Sequence, residues 1–293
     1  MAFETSFAIM RYITPFITGL LLTAFFTVRA QDNYLMPEKF FLHKGDQLTV
    51  HLLSGNEFRN DNELKYSSSG TAKFMMYEGN KKTDLMTAAK DSAAPVFSYT
   101  TGNQGLLCIE LTSAPAVNEV DRDSYARFLS EQGLVKLADQ VNNSNQSQFR
   151  EKNTRYLKTL VTVDKPTGKD FDKQTGQDYE IVLTVNPYKL NYGEDITAVL
   201  YLKGKPVKAA PIELYIKTAS GNVYPQALSA DNDGQVSFTA SREGIYMLRS
   251  VRTIAANSTD YDFETMQADY TFKFSSQNDS PSDYTSFGFG EKH

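Results

Sequence analysis

The chain has 293 residues, 41% of them apolar, which is enough to bury a sizeable core and favours two domains. It carries 30 basic and 35 acidic residues, a net charge of −5, and so lacks the general basic surface that nucleic acid requires. The single cysteine, Cys108, excludes an intrachain disulfide and any site built from several thiolates. Because Cys108 lies in an apolar run, we expect a buried small hydrophobic residue rather than a reactive thiol.

The N-terminus carries an apolar segment, Ile13–Val28, which is followed by Ala30 where a signal peptidase would cleave. This run is too short to span a membrane comfortably. The pattern predicts a signal peptide over residues 1–30 and export to the periplasm or the cell surface. An uncleaved membrane anchor is the alternative, and membrane contact would then be through this segment alone. Translation starts at Met1 or at Met10.

Residues 31–164 are predicted to form an N-terminal β-sandwich domain, because short alternating segments are separated by turn-forming residues. Residues 38–42 and 47–53 would form a hairpin around Lys44-Gly45-Asp46, with His51 pointing outward. Residues 56–70 are polar and rich in turn formers, so we expect a loop there. Further strand candidates are residues 71–77, 96–100, 105–111 and 155–163.

A helical insert is predicted over about residues 121–140, where the apolar period changes from two to that of a helix. Asp121 or Asp123 would cap it, and Gly133 would split it into two short helices. The strand predicted after this insert would rejoin the first sheet. Residues 165–177 are the expected linker.

Residues 178–274 are predicted to form a second β-sandwich, in which Ile196, Ala198 and Leu200 share one face of a strand. Tyr201 and Tyr215, outward on neighbouring strands, would form a cross-strand pair or a platform for sugar or peptide. Residues 275–293 have no period and are predicted to be disordered. The predicted fold is therefore mainly β, with two sandwich domains of immunoglobulin- or transthyretin-like type and a helical insert in the first.

The available histidines are His43, His51 and His293. The predicted hairpin would hold His43 and His51 roughly 13 Å apart, too far to share one ion. We interpret them as surface histidines, with a partial metal site as the alternative. The segment that begins with Asp231 echoes the start of a calcium loop, but its twelfth position is Arg242 and not glutamate, so it predicts a hairpin turn.

Catalytic signatures are missing from the sequence: there is no His-Glu-x-x-His, no Gly-x-Ser-x-Gly, no phosphate-binding loop and no Gly-x-Gly-x-x-Gly. The carboxylate pairs Asp121/Asp123 and Asp260/Asp262 fall in caps and loops, where solvation is the ordinary explanation. We predict that the protein is not an enzyme and has no catalytic or cofactor-binding residues. A hydrolase is the third reading.

Four segments in order resemble the DUF4198 family, exported bacterial proteins once grouped with accessory proteins of nickel and cobalt uptake. The segments are residues 33–40 (NYLMPEKF), 125–134 (YARFLSEQGL), 155–161 (RYLKTLV) and 186–188 (NPY) with the turns behind them. The sequence departs from the family where Asn33 follows Gln-Asp without the usual histidine, and where Arg252 stands in place of another histidine.

The resemblance implies an exported accessory or binding protein of the cell envelope, associated with nickel or cobalt uptake. Its partner would be an envelope transport or surface protein. The alternative is a structural or cell-surface interaction module that binds glycan or protein. His43 and His51 are the weak candidates for metal ligands.

Overall fold

The computed structural model describes residues 32–277 and 283–290, and this part of the chain is mainly β. The signal peptide predicted over residues 1–30 lies outside the described residues. The strands are, in chain order, β1 (Asp32–Pro37), β2 (Phe41–Leu42), β3 (Gln47–Asn56), β4 (Arg59–Leu64), β5 (Thr71–Glu78), β6 (Lys81–Asp84), β7 (Phe97–Thr100), β8 (Gly105–Ser113), β9 (Ala116–Asp121), β10 (Gln148–Val163), β11 (Tyr179–Leu183), β12 (Asp195–Leu202), β13 (Lys205–Pro206), β14 (Pro211–Lys217), β15 (Val223–Ser229), β16 (Gln235–Thr239), β17 (Gly244–Ala255) and β18 (Phe263–Phe274).

The helical insert is confirmed as two short helices, α1 (Arg122–Glu131) and α2 (Val135–Asn142). The Asp121 side chain accepts hydrogen bonds from two backbone amides of the first turn and so caps α1. Gly133, between the helices, has φ of +73°, a conformation that glycine adopts without strain. No helix in residues 32–277 or 283–290 is long and apolar enough to cross a membrane.

One long sheet runs through both halves of the chain, with the strand order β15-β14-β17-β18-β10-β8-β5-β6. Strands β2 and β9 also pair with β10. The two halves are joined by β10 and β18, which run parallel with Glu151 opposite Phe263 and Thr159 opposite Thr271. The strands expected in two separate sandwiches therefore share one hydrogen-bonded ladder, which we call the central sheet.

Two smaller sheets cover opposite faces of the central sheet. Strands β1, β3, β4 and β7 form the first small sheet, and β11, β12, β13 and β16 form the second. On β8, Leu107 packs in the core beneath the first small sheet, whereas Cys108 packs in the core beneath the second. Met247 and Leu248 of β17 divide in the same way. Since successive side chains of a strand point to opposite faces, the small sheets lie on opposite sides.

The predicted pairing of Tyr201 with Tyr215 is wrong. Tyr201 lies on β12 of the second small sheet, and Tyr215 lies on β14 of the central sheet. Tyr215 is buried in the core beneath the first small sheet, because the central sheet is covered on both faces there. In a two-layer sandwich the side chain of Tyr215 would face solvent. In the three-layer arrangement of this protein it faces a core.

The predicted hairpin around Lys44-Gly45-Asp46 is also wrong in its pairing. Strand β3 pairs with β1, so that His51 lies opposite Met36, while β2 pairs with β10. The loop expected over residues 56–70 contains β4, which pairs with β3. The sequence of β4, RNDNEL, is polar at nearly every position, so no apolar alternation marks it as a strand.

The other strand predictions hold. The candidates at residues 71–77, 96–100, 105–111 and 155–163 correspond to β5, β7, β8 and β10, and β10 rejoins β8 as expected. In the C-terminal half, Ile196, Ala198 and Leu200 are completely buried on one face of β12.

The predicted disorder of residues 275–293 is wrong for residues 283–290. This segment contains a short 3-10 turn, Tyr284–Phe287, and buries Phe287 and Phe289 in the core beneath the first small sheet. Its two aromatic anchors, on either side of a single glycine, are too few to reveal a strand or helix period in the sequence.

Candidate ligand-binding site

The segment between β10 and β11, residues 164–178, crosses one face of the central sheet, and we call it the crossover. It was expected to be a linker, yet Asp170 within it is 2% exposed. The Asp170 carboxylate accepts hydrogen bonds from the backbone amide of Gly79, at 3.0 Å, and from the Lys173 ammonium, at 2.7 Å. The bond from Gly79 attaches the crossover to the turn between β5 and β6, and the bond from Lys173 holds Asp170 within the crossover.

Two buried carboxylates meet beneath the crossover. Glu110 of β8, fully buried, accepts from the Lys73 ammonium at 2.7 Å and from the Tyr77 hydroxyl at 2.5 Å. The Thr175 hydroxyl lies 2.6 Å from Glu110 Oε2 and 3.0 Å from Glu180 Oε1. Because a hydroxyl has one proton, it donates to one of these carboxylates at a time. The carboxylate of Glu110 also contributes, after burial, to raising the pKa of Tyr77.

The second carboxylate, Glu180 of β11, forms an ion pair with Lys158 of β10, and both side chains are almost completely buried. Lys158 also donates to the carbonyl oxygen of Ile181 at 3.1 Å. Glu180 accepts from the backbone amides of Thr175, at 2.6 Å, and Gly176, at 3.3 Å. A buried charge is tolerated when it is paired and hydrogen-bonded, and this network meets that condition.

The charges of this network balance. Its carboxylates are those of Glu110, Glu180 and Asp170, and its ammonium groups are those of Lys73, Lys158 and Lys173. Each carboxylate has a lysine partner within ion-pair distance. The network therefore serves to position the crossover, and its buried carboxylates do not form a free cation site.

A polar cleft of about 510 Å³ opens where the crossover meets the second small sheet. Its fixed walls are the buried side chains of Glu180 and Gln177, the latter donating to the Thr112 hydroxyl at 3.1 Å. Its exposed rim carries an amide, a carboxylate and an ammonium group. The lining residues are Gln174, Gly176, Gln177, Asp178, Glu180, Lys203 and Gly204.

The two predicted metal candidates lie apart and have different surroundings. His43 is exposed, and its Nδ1 lies 3.0 Å from an oxygen of Asp164. His51 is buried, with Nδ1 2.6 Å from Glu63 and Nε2 3.1 Å from Glu38. Because these carboxylates face opposite nitrogens of the ring, one ion cannot be held by all three side chains. His51 was predicted to lie on the surface and does not.

No group of three or more histidine, cysteine, aspartate or glutamate side chains in the described residues is arranged to hold a metal ion. His293 lies outside those residues. The segment from Asp231 is a turn, as predicted: the Asp231 carboxylate accepts from the backbone amides of Asp233, at 2.8 Å, and Gln235, at 2.9 Å.

Cys108 is completely buried, as predicted, and burial raises the pKa of its thiol to about 12. Of the predicted carboxylate pairs, Asp121 caps α1 and Asp262 accepts from the backbone amide of Arg150 at 2.7 Å. Both carboxylates therefore hold backbone amides, Asp121 at the start of α1 and Asp262 at the start of β10.

The residues of the buried network were not predicted as a site. One signal for them was present: Glu110 interrupts the apolar run of β8, and Lys158 interrupts that of β10. A charge within a buried strand needs a partner of opposite charge nearby. The sequence did not reveal the partner, because Lys158 and Glu180 belong to strands in different sheets.

These observations define a mainly β protein with a polar cleft held by buried ion pairs. Residues 28–254 match the family described as "Domain of unknown function (DUF4198)", and the chain belongs to that family. The resemblance noted in four segments of the sequence is thereby confirmed.

Three solved structures are weakly similar to the chain. The "D0-D1 domain of Intimin" is 8% identical with a TM-score of 0.20, over 82% of this chain and 97% of that one. A "tetra-tandem repeat in extending region of large adhesion protein" is 11% identical with a TM-score of 0.21, over 85% and 50%. "Murine CEACAM1b" is 10% identical with a TM-score of 0.21, over 83% and 99%. No curated protein sequence matches.

Proposed function

We propose that this protein is a non-enzymatic, exported accessory or binding protein of the cell envelope that holds a small polar ligand in the cleft beside the crossover. The observation that carries the proposal is the fixed wall of that cleft. Glu180 is held by Lys158 and by two backbone amides of the crossover. A wall that is ordered before binding lowers the entropic cost of holding a ligand.

The finer architecture belongs to this proposal. We interpret the two halves as β-sandwiches of immunoglobulin- or transthyretin-like type that share the central sheet, with the cleft at their junction. The ligand would meet the rim groups of Gln174, Asp178 and Lys203, all of which are exposed. An amide, a carboxylate and an ammonium group together suit a ligand that carries hydroxyl groups or both an amine and a carboxylate.

The absence of catalysis is part of the proposal. It is supported by the state of the residues that could act as nucleophile or base. Burial raises the pKa of Cys108 to about 12, so the thiol stays protonated at neutral pH. His51 is buried with a carboxylate at each ring nitrogen, so neither nitrogen is open to a substrate.

An association with nickel or cobalt uptake is the more specific form of the proposal, and its support is the resemblance to the family. His43 and His51 do not fit as joint ligands, because they contact different carboxylates in different places. We therefore propose that the protein would assist metal uptake by binding an envelope transport protein, and not by holding the metal between His43 and His51.

A cell-surface interaction module is the second candidate, and one surface favours it. Tyr192 is 62% exposed, yet its hydroxyl donates to the backbone carbonyl of Ser241 at 2.5 Å. The next residue, Arg242, stacks its guanidinium 4.0 Å from the ring of Tyr224. Tyrosine and arginine side chains held in place are typical of surfaces that bind protein or glycan.

Thermal unfolding of the purified chain with sugars, amino acids, Ni²⁺ and Co²⁺ tests the leading proposal. A ligand of the folded state at a hundred times its dissociation constant adds about 2.7 kcal/mol of stability. The Asp178→Ala variant should lose the shift in melting temperature, while Lys136→Ala, on the exposed face of α2, should keep it.

Equal shifts in both variants would place the ligand elsewhere. If no compound of the panel shifts the melting temperature, the interaction module is the better reading. Capture of an envelope glycan or protein that depends on Tyr192 and Arg242 would then support it.

A further inference from the structure

The C-terminal segment, residues 283–290, lies in a groove and does not pair with any strand of the described sheets. Its backbone is tied to the rest of the chain by the amide of Tyr284, which donates to the carbonyl of Glu38 at 2.7 Å. Its other backbone bonds in the described residues are internal: the amides of Ser286, Gly288 and Phe289 donate to the carbonyls of Asp283, Thr285 and Tyr284. The segment could therefore leave the groove without breaking a sheet.

The floor of the groove is formed by neighbouring strands of the central sheet. Lys217 of β14 lies opposite Ile245 of β17, which lies opposite Lys273 of β18. The Lys217 ammonium is 3.9 Å from the ring centroid of Phe289, and the Lys273 ammonium is 5.1 Å from that of Phe287. Each of the two phenylalanines of the segment thus covers one buried lysine, a cation–π arrangement that strengthens when water is excluded.

The wall of the groove is formed by the first small sheet. Phe58 meets Phe289 edge-on, with ring centroids 5.7 Å apart. The ring of Tyr284 stacks on His51, with centroids 4.9 Å apart and an interplanar angle of 20°. The groove therefore offers four aromatic or cationic contacts to a segment only a few residues long.

Two glycines allow the segment to fit. Gly288 has φ of +78° and separates the two buried phenylalanines. Gly290 has φ of +76°, and a Cβ there would lie 2.7 Å from the Tyr284 hydroxyl. The pattern that the groove selects is therefore Tyr-x-x-Phe-Gly-Phe-Gly, as in residues 284–290.

We propose that this groove is a recognition site for that pattern, and that it exchanges its own segment with the same segment of a second copy of the chain. The fit depends on side chains and on turns internal to the segment, so a segment from another copy makes the same contacts. Exchange of an identical element is a low-cost route to a dimer. Five residues separate Gln277 from Asp283. They reach at most about 20 Å, so the exchanged dimer must be compact.

The test begins with the full chain carrying a specific protease site within residues 278–282. After cleavage, the fragment is removed and a fluorescent peptide of residues 283–293 is added. We expect saturable binding of this peptide by polarisation. A peptide with Phe289→Ala should bind at least tenfold more weakly, whereas one with Ser286→Ala, an exposed position, should bind like the original.

The second arm uses the intact chain and measures its mass against concentration. We expect a dimer at high concentration, its loss in Phe289→Ala, and its retention in Ser286→Ala. Equal binding of the three peptides, or no binding to the freed groove, overturns the recognition site. Selective peptide binding by a chain that stays monomeric at every concentration overturns exchange between copies.

Discussion

The crossover and the C-terminal segment are both short, irregular and rich in turn-forming residues, yet they are held to the central sheet in different ways. Buried carboxylates hold the crossover: Glu180 accepts hydrogen bonds from its backbone amides, and Asp170 within it accepts from the backbone amide of Gly79. Aromatic side chains hold the C-terminal segment, with Phe287 and Phe289 as its anchors. The comparison teaches that a segment without periodicity can still be fixed, and that the kind of anchor determines what disrupts it.

The largest effect should come from breaking the ion pair beneath the crossover. Glu180→Ala leaves the Lys158 ammonium buried without its carboxylate, which we expect to cost about 3–5 kcal/mol in urea unfolding. The matched control is Glu264→Ala, which removes a partly exposed partner of Lys152 and should cost at most about 1 kcal/mol. Similar losses in the two variants would contradict the account of the crossover.

A smaller loss is expected from the aromatic anchor. Phe289→Ala should lower the free energy needed to detach the C-terminal segment by up to about 3 kcal/mol, because this segment can open before the rest of the chain unfolds. Protease cleavage near residue 284 should become rapid while the melting temperature of the remainder changes little. Cleavage as slow as in the Ser286→Ala control would show that the segment is held by other contacts.

The pH dependence should separate the two regions further. Burial lowers the pKa of Lys273, beneath Phe287, to about 8. Above pH 8 the folded chain has released this proton while the unfolded chain still binds it, so stability should rise with pH. Between pH 7.5 and 9.5 we expect a gain of about 2 kcal/mol that Lys273→Met removes. A flat profile in the original chain would contradict the burial of this amine.

The smallest effect should come from the rim of the cleft. Asp178→Ala and Lys203→Ala change exposed side chains and should alter the free energy of unfolding by less than about 0.5 kcal/mol. Unfolding in urea checks this. A larger loss of unfolding free energy would mean that the rim side chains support the fold, and the proposal that they bind a ligand would no longer be supported.

The sequence predicted what local patterns can carry. The alternation of Ile196, Ala198 and Leu200 marked β12, and the change of period with Asp121 as cap marked the two helices. It did not predict the pairing of β10 with β18, because hydrogen bonds between strands about a hundred residues apart leave no local trace. The third layer was therefore not predicted, and the side chain of Tyr215 was predicted to face solvent.

The candidate site was predictable only in part. Lys158 within an apolar strand signals a buried charge, but nothing local identifies Glu180 as its partner. His51 was assigned to the surface because its strand neighbours alternate, whereas in the structure Tyr284 covers it from the other end of the chain. Contacts between distant parts of the chain decided both cases.

Amide hydrogen exchange of Thr175 and Gly176 tests most directly whether the crossover is a fixed wall of the cleft. Both amides donate to the buried carboxylate of Glu180. The account predicts that they exchange as slowly as amides within the central sheet and lose this protection in Glu180→Ala. If these amides of the original chain exchange at the rate of an unstructured peptide, the account is contradicted and the crossover is a linker, as the sequence predicted.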